Sequence, residues 1–137
     1  MENGKIKLVN YQVDEIKFNI NPNWETGKTV KLSSQFSWGC ATDYEKNHEI
    51  LILKCDLFKD EPEPPFNCFV RITGEFKAEE NTDKDILQHD MLSFLIPYMR
   101  AIVSQITAVS QVRPVVLPII DVDSILASAV PSNEEPE

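Results

Sequence analysis

The fold is decided by residues 91–107, which read MLSFLIPYMRAIVSQIT. In and around this stretch, apolar side chains recur at intervals of three and four, the spacing of a helix. A first strip comprises Leu87, Met91, Phe94, Leu95, Tyr98, Ile102, Ile106 and Val109, and a second comprises Leu92, Ile96, Met99 and Val103. A surface helix needs one apolar strip. Two strips predict a helix between a sheet and a second subunit, with the second strip as the oligomer interface.

Pro97 lies in the middle of this helix. It predicts a kink or a division, because proline lacks a backbone N–H and its ring displaces the preceding turn. The uninterrupted apolar length is too short for a membrane span, and Ser93, Arg100, Ser104 and Gln105 break it further. We therefore expect no membrane insertion.

The length and the net charge of the chain limit the functions that it can have. The 137 residues suffice for one domain with a single core, predicted over residues 1–131, and residues 132–137 predict an acidic, disordered tail. Because 22 acidic residues outnumber 13 basic ones, the net charge is −9, which repels nucleic acid phosphates. The first residues lack the pattern of a signal peptide, so we expect a cytoplasmic protein.

Four stretches alternate as strands do. They span residues 6–20 (with phase slips typical of bulges), 30–41, 50–58 and 66–77. A long helix follows over residues 83–109, capped by Thr82 or Asp83, and a short one runs from Asp121 or Asp123 to about Val130. The predicted class is α+β: a four-stranded antiparallel sheet with a long kinked helix and a short C-terminal helix on one face.

Catalytic and cofactor motifs are missing from the sequence. The four glycines are isolated, so no phosphate-binding loop is present, and no paired-cysteine or His-Glu-x-x-His metal spacing occurs. His48 and His89 are expected to be solvated surface residues. The odd number of cysteines predicts free thiols buried in strands. We expect no cofactor, no metal and no enzymatic activity.

Three segments resemble the SecB family of export chaperones. They are Gly74-Glu-Phe76 at the end of the fourth strand, Leu95-Ile-Pro-Tyr-Met-Arg100 in the helix, and Leu117-Pro-Ile-Ile-Asp-Val-Asp-Ser-Ile-Leu126 after it. Their order and spacing agree with the family over residues 66–126, and the Pro-Tyr-x-Arg match is the most specific part.

The resemblance implies a function and an assembly. SecB proteins hold unfolded polypeptides in apolar grooves without ATP, and they assemble as a dimer of dimers with the long helices sandwiched between sheets. Exposed apolar surface suits such clients, and several sites on one oligomer add avidity. By position, the groove would be lined by Trp24, Val30, Leu32, Ile119, Ile120, Val122, Ile125 and Leu126.

One surface departs from the SecB pattern. In export chaperones, acidic residues on the polar sheet face dock the basic, zinc-bearing tail of the SecA motor. Glu15 occupies one such position here, but Asn19, Asn67 and Phe69 stand at the others. This depletion of charge puts delivery to SecA in doubt.

Three hypotheses follow. The first is a general SecB-like holdase in protein export and translocation. The second is a SecB-like chaperone dedicated to one client, such as the antitoxin of a toxin–antitoxin pair. The third, from another class, is an α+β module that binds a small apolar ligand as a monomer.

Overall fold

A computed structural model of the chain describes residues 6–24, 33–109 and 122–128. Within these residues the elements are β1 (Ile6–Ile20), β2 (Ser34–Asp43), β3 (His48–Leu57), β4 (Phe66–Ala78), α1 (Lys84–Val109) and α2 (Val122–Ser128). The strands form one antiparallel sheet in the order β1-β4-β3-β2. The predicted α+β class with its four-stranded antiparallel sheet is confirmed. The predicted domain end at 131 and the predicted acidic tail lie outside the described residues.

Strand β1 is long, and two irregularities divide it. Its register against β4 shifts between Leu8 and Asn10 and again between Val13 and Glu15. An extra residue at such a bulge moves the following side chains to the other phase. The phase slips expected from the sequence are therefore confirmed, and β1 keeps apolar side chains on the helix side along its whole length.

The core lies between α1 and the sheet. Alternate side chains of β3, among them Cys55, and alternate side chains of β4 point into this core. Helix α1 packs against β4, β3 and β1. Gly74 marks a close approach of the helix: a Cβ added there would lie 2.9 Å from both δ carbons of Leu95 and from Cε1 of Phe76. Only glycine leaves room for the Leu95 side chain at that point.

The prediction for the second strip of α1 is corrected by its burial. Leu92, Met99 and Val103 are 0% exposed and Ile96 is 5% exposed within the single protomer. These four side chains belong to the protomer's own core and do not reach its surface. Tyr98, from the first strip, is 37% exposed instead. The buried side of α1 also includes Leu87, Met91 and Leu95 of the first strip, so the two strips do not face opposite sides of the helix as expected.

Helix α1 begins and continues as local rules require. Asp83 caps it, since its side chain accepts a hydrogen bond from the backbone N–H of Asp85 at 2.9 Å. The helix then runs without interruption through Pro97, so the proline does not divide it. By length and composition α1 could cross a membrane. Nine of its residues, however, are buried in this fold, among them Met91, Leu95 and Met99.

Candidate functional site

Strand β1 exposes a row of apolar side chains on the helix side of the sheet. Val13, Ile16 and Ile20 are 39%, 49% and 51% exposed. Each lies opposite a buried residue of β4, namely Ile72, Val70 and Phe66. Residues opposite each other in an antiparallel pair point to the same face. We call Tyr11, Val13, Ile16 and Ile20 the β1 shelf.

The β1 shelf is bordered by the outward side of α1. The rings of Tyr11 and Tyr98 are in contact, with centroids 4.4 Å apart and planes tilted by 32°. Ile102 and Ile106 follow Tyr98 at intervals of four on the same side of the helix, and both are half-buried. The shelf and this helix side form a continuous apolar surface on an edge strand. Such surfaces mark sites of interaction with other chains.

The predicted groove residues are only partly within the described structure. Val30, Leu32, Ile119 and Ile120 lie outside it. Trp24 is half-buried in the turn after β1, where its backbone N–H donates to the carbonyl of Asn21 at 3.2 Å. That turn is tied to the β3–β4 connection, because the backbone N–H of Asn21 donates to Pro65 and its side-chain amide donates to Pro64, both at 2.9 Å.

Helix α2 contributes the remaining predicted groove residues. Ile125 is 4% exposed and belongs to the core. Val122 and Leu126 are half-buried and pack against that core, so part of each side chain reaches the surface. Of the three, Val122 and Leu126 are therefore the ones with exposed surface, and Ile125 anchors the helix.

Both histidines have carboxylate neighbours. The His89 side chain is 43% exposed, as expected of a surface residue, whereas the His48 side chain is only 17% exposed. His89 lies between the two helices: its Nε2 is 3.7 Å from Oδ1 of Asp123 on α2, and its Nδ1 is 3.4 Å from Oδ1 of Asp90. His48, the first residue of β3, contacts Glu75 of β4 with 2.5 Å between Nδ1 and Oε2. Asp123 lies 34 positions beyond His89, so no local pattern could indicate their contact.

Trp38 is a buried residue that the sequence analysis placed in a strand but gave no role. It lies on the helix side of β2, opposite Leu53, and is 4% exposed. Its indole Nε1 is buried and has no hydrogen-bond acceptor among the residues that the structure describes.

The residues expected to dock SecA share the outer sheet face. Asn19 lies opposite Asn67, Lys17 opposite Phe69, and Glu15 opposite Arg71. Around them is a depression of about 350 Å³, lined by Lys17, Asn19, Asp56, Leu57, Lys59, Asn67, Cys68 and Phe69. The structure thus brings the four residues together on adjacent strands. Whether they bind a partner stays a prediction.

This depression is not acidic. Its lining carries two lysines against one aspartate. Burial raises the pKa of the Asp56 carboxyl, an effect that Lys59 opposes. Glu15 is already engaged by Lys17 at 3.3 Å, and the Lys17 ammonium also lies 5.8 Å from the centre of the Phe69 ring. A basic tail finds little free negative charge here.

Asn67, which lines this depression, also stabilises the adjacent turn. Its side-chain amide donates at 3.0 Å to the carbonyl of Phe58, a buried residue whose φ is 61°. Among the described residues, the other non-glycine residues with positive φ are Asn47 and Asn81. A bulky residue in this left-handed region is strained. The backbone N–H of Phe58 also donates to Ser33 at 2.8 Å. These bonds hold the turn that closes the depression.

The environments of the three cysteine thiols do not favour nucleophilic reactivity or metal binding. Burial raises the pKa of Cys40 and of Cys68 to about 11 and that of Cys55 to about 12. Since the thiolate is the nucleophile and the metal ligand, thiols with raised pKa values are unreactive near neutral pH. All three are free, as expected from their number. In the described parts of the chain, no three His, Cys, Asp or Glu residues are grouped to hold a metal ion.

Comparison with known proteins yields one relative in sequence. An uncharacterised protein of Methanocaldococcus jannaschii is 31% identical over 138 aligned positions, which cover 95% of this chain and 88% of that protein. No protein-family model matches the chain.

Comparison with solved structures identifies proteins with a similar fold. A SecB-like chaperone of Mycobacterium tuberculosis, solved with a ChAD peptide from the HigA1 antitoxin, superposes with a TM-score of 0.68 at 13% identity. The match covers 85% of this chain and 91% of that chain. A Streptococcus agalactiae protein of unknown function gives a TM-score of 0.48 at 14% identity over 84% of this chain and 98% of that chain. The chain therefore belongs to one family with the Methanocaldococcus protein, and its fold is that of the SecB-like proteins.

Proposed function

We propose that this protein is an ATP-independent, cytoplasmic chaperone that holds unfolded polypeptide segments on apolar surface. The observation that carries the proposal is the SecB-like fold, shared at a TM-score of 0.68 with a chaperone that was solved with a peptide bound. The apolar side chains left at the surface of this fold are what such binding needs, because unfolded segments expose apolar side chains of their own.

The client groove is proposed to run beside α2 and the turn after β1. Val122, Leu126 and Trp24 are its described members; all three are half-buried, and Val122 and Leu126 pack against the core. Val30, Leu32, Ile119 and Ile120 complete the proposed set by their place in the SecB-like pattern. Half-buried apolar side chains on a short helix can shift to fit different clients, which suits a binder of many sequences.

The β1 shelf is proposed to contact a second copy of the chain. It runs along a 15-residue edge strand and continues onto α1 through the Tyr11–Tyr98 contact. An uncovered edge of this length with exposed apolar residues invites aggregation, and natural proteins cover such edges. A homo-oligomer, in the SecB pattern a dimer of dimers, would cover it.

Binding is favoured over catalysis as the activity. Burial raises the pKa of every cysteine thiol, and the described histidines face carboxylates without a nucleophile beside them. The third hypothesis, a monomer with a pocket for a small apolar ligand, is less well supported. Among the described residues, the depression around Phe69 and a second one between Asn47 and Leu87, of about 310 Å³, are both lined largely by polar residues.

Between the two chaperone roles, the outer sheet face favours a dedicated client over delivery to SecA. A basic SecA tail needs acidic docking residues, and the depression around Phe69 carries two lysines and one aspartate. The chaperone of Mycobacterium tuberculosis holds an antitoxin peptide. We infer that one client class, such as an antitoxin, is the more fitting substrate here.

An aggregation assay tests the groove. Replacement of Val122 and Leu126 together by serine should abolish protection of a heat-unfolded client by the protein without ATP, while the far-ultraviolet circular dichroism stays unchanged. Replacement of Lys77 by serine, on the exposed outer face of β4, is the matched control and should protect as the natural chain does. Full protection by the Val122/Leu126 variant would remove α2 from the groove.

A further inference from the structure

Helix α2 depends on its contacts with the rest of the fold. It has seven residues, Val122–Ser128, whereas isolated helices shorter than about 12–15 residues are marginal in water. One contact that holds it is apolar, because the Ile125 side chain is 4% exposed and belongs to the core. Another is polar and comes from His89 of α1. Whatever strengthens the contact with His89 therefore also stabilises α2 in its place.

The imidazole of His89 has a carboxylate oxygen near each of its two nitrogens. Nδ1 is 3.4 Å from Oδ1 of Asp90 on α1, and Nε2 is 3.7 Å from Oδ1 of Asp123 on α2. A neutral imidazole carries one N–H, so in that form a nitrogen lone pair faces one of the two carboxylates and is repelled by it. The imidazolium carries an N–H on both nitrogens, and it therefore attracts both carboxylates at once.

The charges around His89 all favour the imidazolium. Asp85 lies four positions before His89, on the same side of α1, and adds a third carboxylate there. Asp90 is 6% exposed, so water and salt screen its attraction to an imidazolium less than they screen a surface pair. Asp123, by contrast, has a side chain that is 77% exposed, so its pair with His89 contributes modestly.

We propose that His89 is a positioning residue for the client groove, and that its protonation holds α2 against α1. The proposal rests on the chaperone function argued above, because Val122 and Leu126 of α2 belong to the proposed groove. With α2 held in place, these two side chains form an apolar wall before the client arrives, and less free energy is lost to ordering when it binds. Client binding is therefore tighter at pH 6 than at pH 8, since histidine changes its charge in this range.

Client affinities measured at pH 6 and pH 8 test this role. The natural chain should bind reduced, carboxymethylated α-lactalbumin, a chain that cannot refold, about two- to fivefold more tightly at pH 6, the effect of a partly exposed ion pair. His89→Gln keeps a polar side chain that does not titrate, and it should lose this ratio. His48→Gln, which removes the other histidine, whose ring contacts Glu75, is the matched control and should keep it. The same ratio in the natural chain and in His89→Gln would overturn the proposal.

A double-mutant cycle separates the contact with α2 from other effects of the charge on His89. Asp123→Asn removes the carboxylate, but Asp123 also lies in the first turn of α2, where a negative charge stabilises a helix. The coupling between His89→Gln and Asp123→Asn isolates what the two side chains contribute together.

This coupling in client affinity should be present at pH 6 and lost at pH 8. A coupling that is absent at pH 6, or equal at both pH values, would show that His89 does not act through α2, and the inference would fail alone. If the natural chain binds the polypeptide at neither pH, the chaperone function fails and the inference falls with it.

Discussion

At Gly74, helix α1 packs tightly against the sheet. This glycine lies on the helix side of β4, and the fully buried Leu95 side chain occupies the place of its missing Cβ. Because Leu95 is enclosed by other core residues, it has little room to withdraw.

Gly74→Ala should destabilise the protein by about 1–3 kcal/mol, the usual cost of adding a methyl group to a filled core. The physical reason is the 2.9 Å approach that the new Cβ would make to Leu95 and Phe76. The midpoint of urea unfolding, followed by circular dichroism, measures the change. Lys77→Ala on the exposed face of the same strand is the control, and an equal midpoint for both variants would show that α1 lies farther from β4.

The buried thiols predict a loss of stability in alkaline solution. Their pKa values are raised to about 11 or 12 in the folded chain from 9.0 in the unfolded one. Above pH 9 the unfolded chain releases thiol protons that the folded chain still binds, so the free energy of unfolding decreases as pH rises from 9 towards 12. Below pH 9 the thiols are protonated in both states and contribute no slope.

Urea unfolding between pH 8 and pH 11 measures this slope. A variant with Cys40, Cys55 and Cys68 all replaced by alanine is the control and should show a shallower decrease, whatever its stability at pH 8. The same slope in both proteins would mean that the thiols are accessible enough to ionise in the folded state.

At the scale of elements, helix α1 and strand β1 divide the apolar surface between core and exterior. The inward side of α1 fills the core with Leu92, Met99 and Val103, each 0% exposed. Its outward side meets the β1 shelf through Tyr98 and Tyr11. The same two elements therefore hold the protomer together and leave apolar side chains exposed at its surface.

Ile16→Asp together with Ile20→Asp should convert the proposed oligomer into smaller species that remain folded. The two side chains are about half exposed in the protomer, so a carboxylate there meets water, whereas in an interface it would be buried without a partner. Sedimentation velocity measures the mass. Lys17→Asp together with Asn19→Asp, on the opposite face of β1, should leave the mass unchanged.

Dissociation in the outer-face variant, or an intact oligomer after the shelf substitutions, would place the interface elsewhere. Loss of folding would mean that the shelf completes the protomer's core.

The sequence predicts these elements well where short-range periodicity decides them. Alternation and its two slips predicted β1 with its bulges, and the three-to-four spacing predicted α1 almost to the residue. Which positions of α1 face inward was not predictable from hydrophobicity, since both strips are apolar and the buried residues come from both, such as Leu95 of the first and Leu92 of the second. The informative signal was on the exposed side, where Pro97, Ala101 and Gln105 accompany Tyr98.

Contacts between distant segments could not be predicted. The His89–Asp123 contact, the bonds from Asn21 to the prolines at 64 and 65, and the unpaired Trp38 N–H all depend on how elements pack in space. The sequence therefore indicated the candidate residues on α2 and on the outer sheet face. It did not indicate the exposed apolar residues of the β1 shelf.

At the scale of the whole molecule, the two faces of the sheet have separate tasks. One face is covered by helices and carries apolar surface, and the other is polar with lysines and acids in mixture. A net charge of −9 favours solubility of such a molecule. The negative charge is not concentrated on the outer face of β1 and β4, where docking of SecA would require it.

Asn19→Asp together with Phe69→Glu should therefore strengthen binding of a basic, zinc-bearing SecA tail peptide at least several-fold over the natural chain, because it adds two charges beside Glu15. Titration calorimetry at low salt measures the affinity, and raising the salt concentration should remove the gain. Asn19→Gln with Phe69→Leu adds no charge and is the control. Equal affinities for the two variants would mean that this face has lost more than its charges.

Light scattering on the purified protein, alone and with an unfolded polypeptide, tests the chaperone proposal most directly. We predict a mass near four chains of 15.6 kDa each, which takes up the polypeptide and keeps it from aggregating without ATP. A monomer that leaves the polypeptide to aggregate would contradict the proposal, and the similarity to the SecB-like chaperone would then be one of fold alone.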